Sequence, residues 1–197
     1  MTSCVIFDLD GVIRHYDSAF VSGVEARFGL DPGTLNQVAY EPALLERLTT
    51  GKLSRKAWVR EIGERTGHSE AATAWGEQPF EIDREVIALS DELRGLGLLT
   101  AVLTNGTDTV AVELEGRDVM GHFDAIFNSA TIGWAKPDPH AFLAVTDALD
   151  VPPAECLFTD DSPSKLRGAS RVGMATHLFR GMVGLRTALA GAGVPLG

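Results

Sequence analysis

The stretch Cys4-Val5-Ile6-Phe7-Asp8-Leu9-Asp10-Gly11-Val12 decides the fold. Four apolar residues run without alternation into two carboxylates and a glycine. A short continuous apolar run closed by a turn signal fits a strand buried on both faces. Four more runs read the same way: Leu98 to Leu103, Ala125 to Phe127, Cys156 to Phe158, and the less regular Met174 to Phe179. Helical spacing fills the gaps, with Asp83 to Leu96 carrying Val86, Ile87, Leu89, Leu93 and Leu96. Pro139 to Leu149, Ser162 to Ala169 and Val183 to Leu189 are the other predicted helices of this half, with Pro163 at a first turn, where proline is tolerated. Strands alternating with helices predict an α/β fold with a doubly wound parallel sheet. Polar residues at the strand ends place a site at the carboxyl edge of that sheet.

Residues 16–80 break the alternation. They read as short helices, Ser18 to Phe28, Thr34 to Val38, Pro42 to Leu48 and Ser54 to Arg65, with no strand among them. The expected organisation is therefore a core of residues 1–15 and 81–197 with a small all-helical cap at 16–80. Entering directly after the first strand, that insert is placed to sit over the strand's carboxyl end. Trp58 and Trp75 are expected to pack inside it.

The chain of 197 residues is 45% hydrophobic and 22% charged, with 27 acidic against 17 basic residues and a formal charge of −10. That is long enough for one core with a small accessory domain. The negative balance excludes nucleic acid and anionic membrane surfaces as natural partners. It also means that a phosphorylated substrate needs local positive charge. Cys4 and Cys156 sit in apolar runs and read as buried thiols rather than a disulfide framework. No basic, apolar leader opens the chain, and no apolar run approaches the ~20 residues of a membrane helix. The expected location is cytoplasmic. The sequon Asn105-Gly106-Thr107 is then a coincidence.

Four polar clusters lie at or just beyond strand ends. Asp8 and Asp10, two residues apart, suit a cation site or a nucleophile paired with an acid/base; an acidic turn bent by Gly11 fits the same residues. Thr104-Asn105-Gly106 offers a hydroxyl and a backbone N–H to a phosphate oxygen, or is an ordinary polar turn. Lys136-Pro137-Asp138-Pro139 holds a lysine extended before a proline, for a phosphate or for solvent. Thr159-Asp160-Asp161-Ser162 supplies metal ligands or a helix cap.

In this order, Phe7-Asp8-Leu9-Asp10-Gly11-Val12, Leu103-Thr104-Asn105, Lys136-Pro137-Asp138-Pro139 and Phe158-Thr159-Asp160-Asp161-Ser162 resemble the motifs of the haloacid dehalogenase (HAD) superfamily. The helical insert resembles the cap of one branch of it, so the likeness covers nearly the whole chain. The resemblance implies a phosphatase in which Asp8 attacks phosphorus and Asp10 is the acid and base. It implies Mg²⁺ held by Asp8, the Asp10 main-chain carbonyl and Asp161, with Asp160 behind. It also implies that Thr104, Asn105 and Lys136 bind the phosphoryl oxygens. An aspartate at Asp10 separates the chain from dehalogenating relatives, which lack an acid there. Arg14, His15 and Tyr16 are candidate substrate contacts between core and insert, His15 reading equally as a solvent-facing hinge residue. Lys165 stands where relatives often carry asparagine, and is expected to face solvent, the alternative being that it adds charge beside the metal. The implied substrate is a small phosphorylated metabolite, a sugar phosphate being one such compound. A phosphomutase, or a binding module retaining the site, is the alternative. Either a monomer or a homodimer fits.

Overall fold

The computed structural model describes residues 2–196. Its centre is a five-stranded sheet in the order β5-β4-β1-β6-β7, parallel throughout. The strands are β1 (Cys4–Phe7), β4 (Leu99–Thr104), β5 (Ala125–Asn128), β6 (Cys156–Asp160) and β7 (Ala175–Leu178). Each of the five predicted runs supplies one of them. Strand β1 lies in the middle, with Phe7 opposite Val102 of β4 on one side and Thr159 of β6 on the other.

Burial on both faces explains the unbroken apolar reading of β1, since both sides of the sheet are covered. Val5 and Phe7 join one apolar cluster with α6 (Arg84–Gly95), α7 (Val110–Glu115) and α11 (Met182–Gly191), through residues such as Leu89, Leu114 and Leu189. Cys4 and Ile6 join the opposite cluster with α9 (Pro139–Leu149) and α10 (Pro163–Arg171), through Phe142, Val145 and Ala169. Both cysteines are buried and free, as read from the sequence. A four-residue helix, α8 (Ser129–Ile132), follows β5.

Helix starts follow their caps. The carboxylates of Asp83 and Asp138 accept backbone N–H bonds at the heads of α6 and α9, and Pro139 and Pro163 occupy first turns.

Between the first two sheet strands the chain forms α1 (Ser18–Arg27), α2 (Thr34–Ala39), α3 (Pro42–Thr49), α4 (Arg55–Thr66) and α5 (Ser69–Gly76). They enclose their own apolar cluster, which contains Leu35, Ile62, Trp58 and Trp75. Ser54 caps α4 by accepting from the Ala57 N–H. Two strands frame this insert: β2 (Arg14–Tyr16) and β3 (Phe80–Ile82) pair antiparallel, Arg14 opposite Ile82. The expected divisions near 15/16 and 80/81 both fall inside this hairpin, so the insert begins and ends on one two-stranded ribbon. No helix of the described residues is long and apolar enough to cross a membrane.

Helix α10 approaches the loop before α9 with no room to spare. A Cβ at Gly168 would collide with the Pro137 carbonyl and the Phe142 ring. We expect Gly168→Ala to lower unfolding stability by about 1–3 kcal/mol through overpacking, measured by urea denaturation. A variant as stable as the parent would show that this contact is looser than described.

Candidate active site

The head of β1 carries the chemistry because the strand stops while its hydrogen bonding continues one residue further. The Asp8 N–H donates to the Thr159 carbonyl of β6 at 2.9 Å, fixing Asp8 beside Asp160. The chain then folds back on itself. The Leu9 carbonyl accepts from the N–H groups of Val12, Ile13 and Arg14, and Gly11 takes a φ of +86°, which a residue with a Cβ adopts only under strain. A Cβ there would also collide with the Asp161 carboxylate.

Lys136 closes the site from the opposite side. Its ammonium donates to Asp8 Oδ1 at 2.6 Å and to Asp160 Oδ2 at 2.8 Å, with all three side chains largely buried. The second oxygen of Asp160 accepts the Ser162 N–H at the start of α10. Asn105 holds the lysine by its backbone. Its amide nitrogen donates to the Lys136 carbonyl and its oxygen accepts the Lys136 N–H, both at 2.8 Å. The Lys136–Pro137 peptide is cis. Lys165 Nζ donates to the same Lys136 carbonyl at 3.1 Å. Lys165 thus faces the site, not solvent, and burial followed by the nearness of Lys136 lowers its pKa.

The carboxylates of Asp8, Asp160 and Asp161 bring one oxygen each within 4.8 Å of one another. The resemblance implies Asp8, the Asp10 main-chain carbonyl and Asp161 as ligands with Asp160 behind; the side chains that converge are those of Asp8, Asp160 and Asp161, while the Asp10 carboxylate lies in the turn and meets Arg14. Arg14 Nε donates to Asp10 Oδ1 at 2.5 Å and a second guanidinium nitrogen to Oδ2 at 3.0 Å. Its third nitrogen donates to Glu113 Oε2 at 2.6 Å. The Arg14 guanidinium, expected to meet substrate, is therefore committed within the protein and stacked near the Tyr16 and Phe80 rings. His15 points to Asp83 at 3.5 Å and lines a separate surface cleft. Thr104 is buried at the end of β4.

The electrostatics record a shortage of positive charge. Burial pushes the Asp8 carboxyl up to about 7, with Asp160 and Asp10 adding to the rise and Lys136 opposing it. Burial and the neighbouring Asp160 likewise raise Asp161, against Arg180 and Lys136. Burial alone would discharge Lys136, but Asp8 and Asp160 outweigh it and keep the ammonium protonated. Three converging carboxylates with one buried ammonium suit a hard cation with oxygen ligands.

The family model described as haloacid dehalogenase-like hydrolase matches residues 2–173. This chain belongs to the haloacid dehalogenase-like hydrolases. A phosphatase of Mycobacterium tuberculosis is 30% identical over 193 residues, covering 89% of this chain and 86% of the relative. The chain spans 36% of the bifunctional epoxide hydrolase 2 of Sus scrofa, which is 26% identical. Among solved structures, a HAD-like hydrolase of Porphyromonas gingivalis superposes with a TM-score of 0.78 at 22% identity, over 96% of this chain and 98% of the other. A HAD family enzyme of Bacteroides thetaiotaomicron, solved with magnesium and inorganic phosphate, gives 0.72 at 21% identity, over 90% and 93%. The central sheet and flanking helices of this HAD hydrolase are thus those of its relatives.

The sign of the Asp8 shift yields a stability test. A carboxyl protonated more easily in the native state stabilises fully below its ordinary range near 4; that contribution is lost as pH rises through about 7. Removing the ammonium with Lys136→Met leaves buried carboxylates unpaired. The expected loss is about 3–5 kcal/mol at pH 8 and visibly less at pH 5, read from urea unfolding at both. An equal loss at the two pH values would contradict the pairing.

Proposed function

We propose that this HAD hydrolase is a Mg²⁺-dependent phosphatase, acting on a small phosphomonoester through an aspartyl-phosphate on Asp8. The observation that carries the reading is the bridge from Lys136 to Asp8 and Asp160 beside Asp161. Similarity to a phosphatase over most of both chains supports it, as does a relative of the same fold solved with magnesium and phosphate.

Asp8, Asp160 and Asp161 are the residues that would hold the cation, which when bound offsets their charge and that of the phosphoryl group. Asp8 attacks phosphorus in line, and the bond to the leaving oxygen breaks as the bond to the carboxylate forms. Asp10, 41% exposed at its side chain and lining the cavity between core and insert, takes a proton from the entering phosphomonoester monoanion on leaving Arg14 and gives it to the departing alkoxide. It then takes one from the water that hydrolyses the intermediate. The Lys136 ammonium, the Thr104 hydroxyl and the Asn105 N–H neutralise the equatorial oxygens. The Asn105 side chain keeps the lysine in place. Residues 16–80 serve as a cap that covers the reacting group and excludes water.

The test is Asp8→Asn. With Mg²⁺ and p-nitrophenyl phosphate, release of phosphate should fall by roughly a thousandfold or more. Circular dichroism should show the fold unchanged. Turnover near that of the parent would remove Asp8 as nucleophile.

A further inference from the structure

Asp10 and Asn105 of the proposed site line a cavity of about 140 Å³ between core and insert. A cavity of about 150 Å³ admits one benzene ring, so the space here holds a leaving group of one ring.

One side of this cavity is aromatic. Tyr40, Trp58 and Trp75 meet edge to face, with ring centroids 4.9 to 6.4 Å apart. Leu45, Leu48 and Tyr16 extend the same surface. Both indoles spend their polar atoms inside the insert: Trp58 Nε1 donates to the Ala39 carbonyl at 3.1 Å and Trp75 Nε1 to Asn36 Oδ1 at 2.9 Å. What they offer the cavity is ring carbon.

Several of the polar side chains around it are already engaged. The Thr49 hydroxyl donates to the Leu45 carbonyl and Gln78 Nε2 to the Asp17 carbonyl. Thr107 pairs with Thr109, and the Asn105 amide is spent on Lys136.

Charge is balanced as well. Asp10 and Glu113 face Arg14 and Arg55: Arg14 bridges both acids, and Arg55 Nε lies 3.6 Å from Glu113. The Arg55 guanidinium also donates to the Gly76 carbonyl. Two acids against two guanidiniums leave no excess of either sign for a charged leaving group. The half-buried Lys165 ammonium lies outside this cavity, in an adjoining cleft that shares Tyr40, Leu45, Thr49 and Asn105 with it and also meets Lys136 and Glu46.

We propose that the cavity selects phosphomonoesters whose alcohol is uncharged and carries a single ring, as in benzyl phosphate. This rests on the phosphatase reading above and names the substrate class of that site.

The experiment measures kcat/KM by phosphate release from the full chain with Mg²⁺, for benzyl phosphate, phosphoethanolamine, O-phosphoserine and 2-phosphoglycolate. Benzyl phosphate should exceed each charged substrate by roughly tenfold to a hundredfold. Tyr40 is 53% exposed, so Tyr40→Ala removes a cavity wall without opening the core. That variant should shrink the benzyl-to-phosphoethanolamine ratio by about tenfold. A charged substrate turned over as well as benzyl phosphate overturns the proposal alone, and preference for 2-phosphoglycolate would reassign recognition to Lys165. A ratio unchanged in Tyr40→Ala also overturns it. No phosphate release from any of the four by the parent chain would remove the phosphatase reading, and the proposal with it.

Discussion

One ammonium shared by two buried carboxylates governs this site. Lys136 reaches Asp8 and Asp160 from a loop outside the sheet, while the two acids stand side by side because β1 and β6 are neighbours in register. An unpaired charge at this depth would be strongly unfavourable, so the loop must be held where the lysine can reach. Three contacts hold it: the two-bond clamp of Asn105, the Lys165 ammonium on the Lys136 carbonyl, and the close approach of Gly168 to Pro137. Asn105 comes from the end of β4, so the strands on both sides of β1 converge on one side chain.

The insert depends on the same place. Its helices have their own apolar cluster and join the core through the β2–β3 hairpin, whose first residue is Arg14. Arg14 ties Asp10 to Glu113, and Glu113 faces Arg55 at the start of α4. The acid assigned to proton transfer is therefore linked through two guanidiniums to the insert above it. This arrangement connects the position of the insert with the position of the Asp10 carboxylate, using only side chains already present.

Most of the sheet was legible in the sequence, for a physical reason. Strands covered on both faces leave unbroken apolar runs such as Cys4 to Phe7, and the following turn residues mark where they stop. Pro139 with Asp138 before it set the start of α9 where it was expected. The hairpin strands β2 and β3 were not legible, since three residues carry no periodicity. Helix α5, rich in alanine, and the short α7 and α8 lacked an apolar stripe long enough to show. At the site, the four clusters did meet, but spacing could not tell that the Asp10 carboxylate turns away while that of Asp160 lies against those of Asp8 and Asp161. That depends on Arg14, four residues on, capturing Asp10 across a turn whose shape only Gly11 and the Leu9 carbonyl determine. Nor could the sequence show the Asn105 side chain clamping a backbone 31 residues away, or Lys165 turned inward. Such contacts follow from the sheet order, which brings distant strand ends to one edge.

The decisive quantity is the charge deficit at the head of β1. Three carboxylates face one ammonium, and Asp8 takes up a proton at about pH 7 when nothing else supplies positive charge. A cation that belongs there must compete with that proton. Calorimetric titration of the full chain with Mg²⁺ at pH 8 and pH 6 measures this competition. The affinity should be about tenfold weaker at pH 6, with proton release on binding at the lower pH. No binding at pH 8, or equal affinity at both with no proton released, would contradict the convergence of Asp8, Asp160 and Asp161 on a metal.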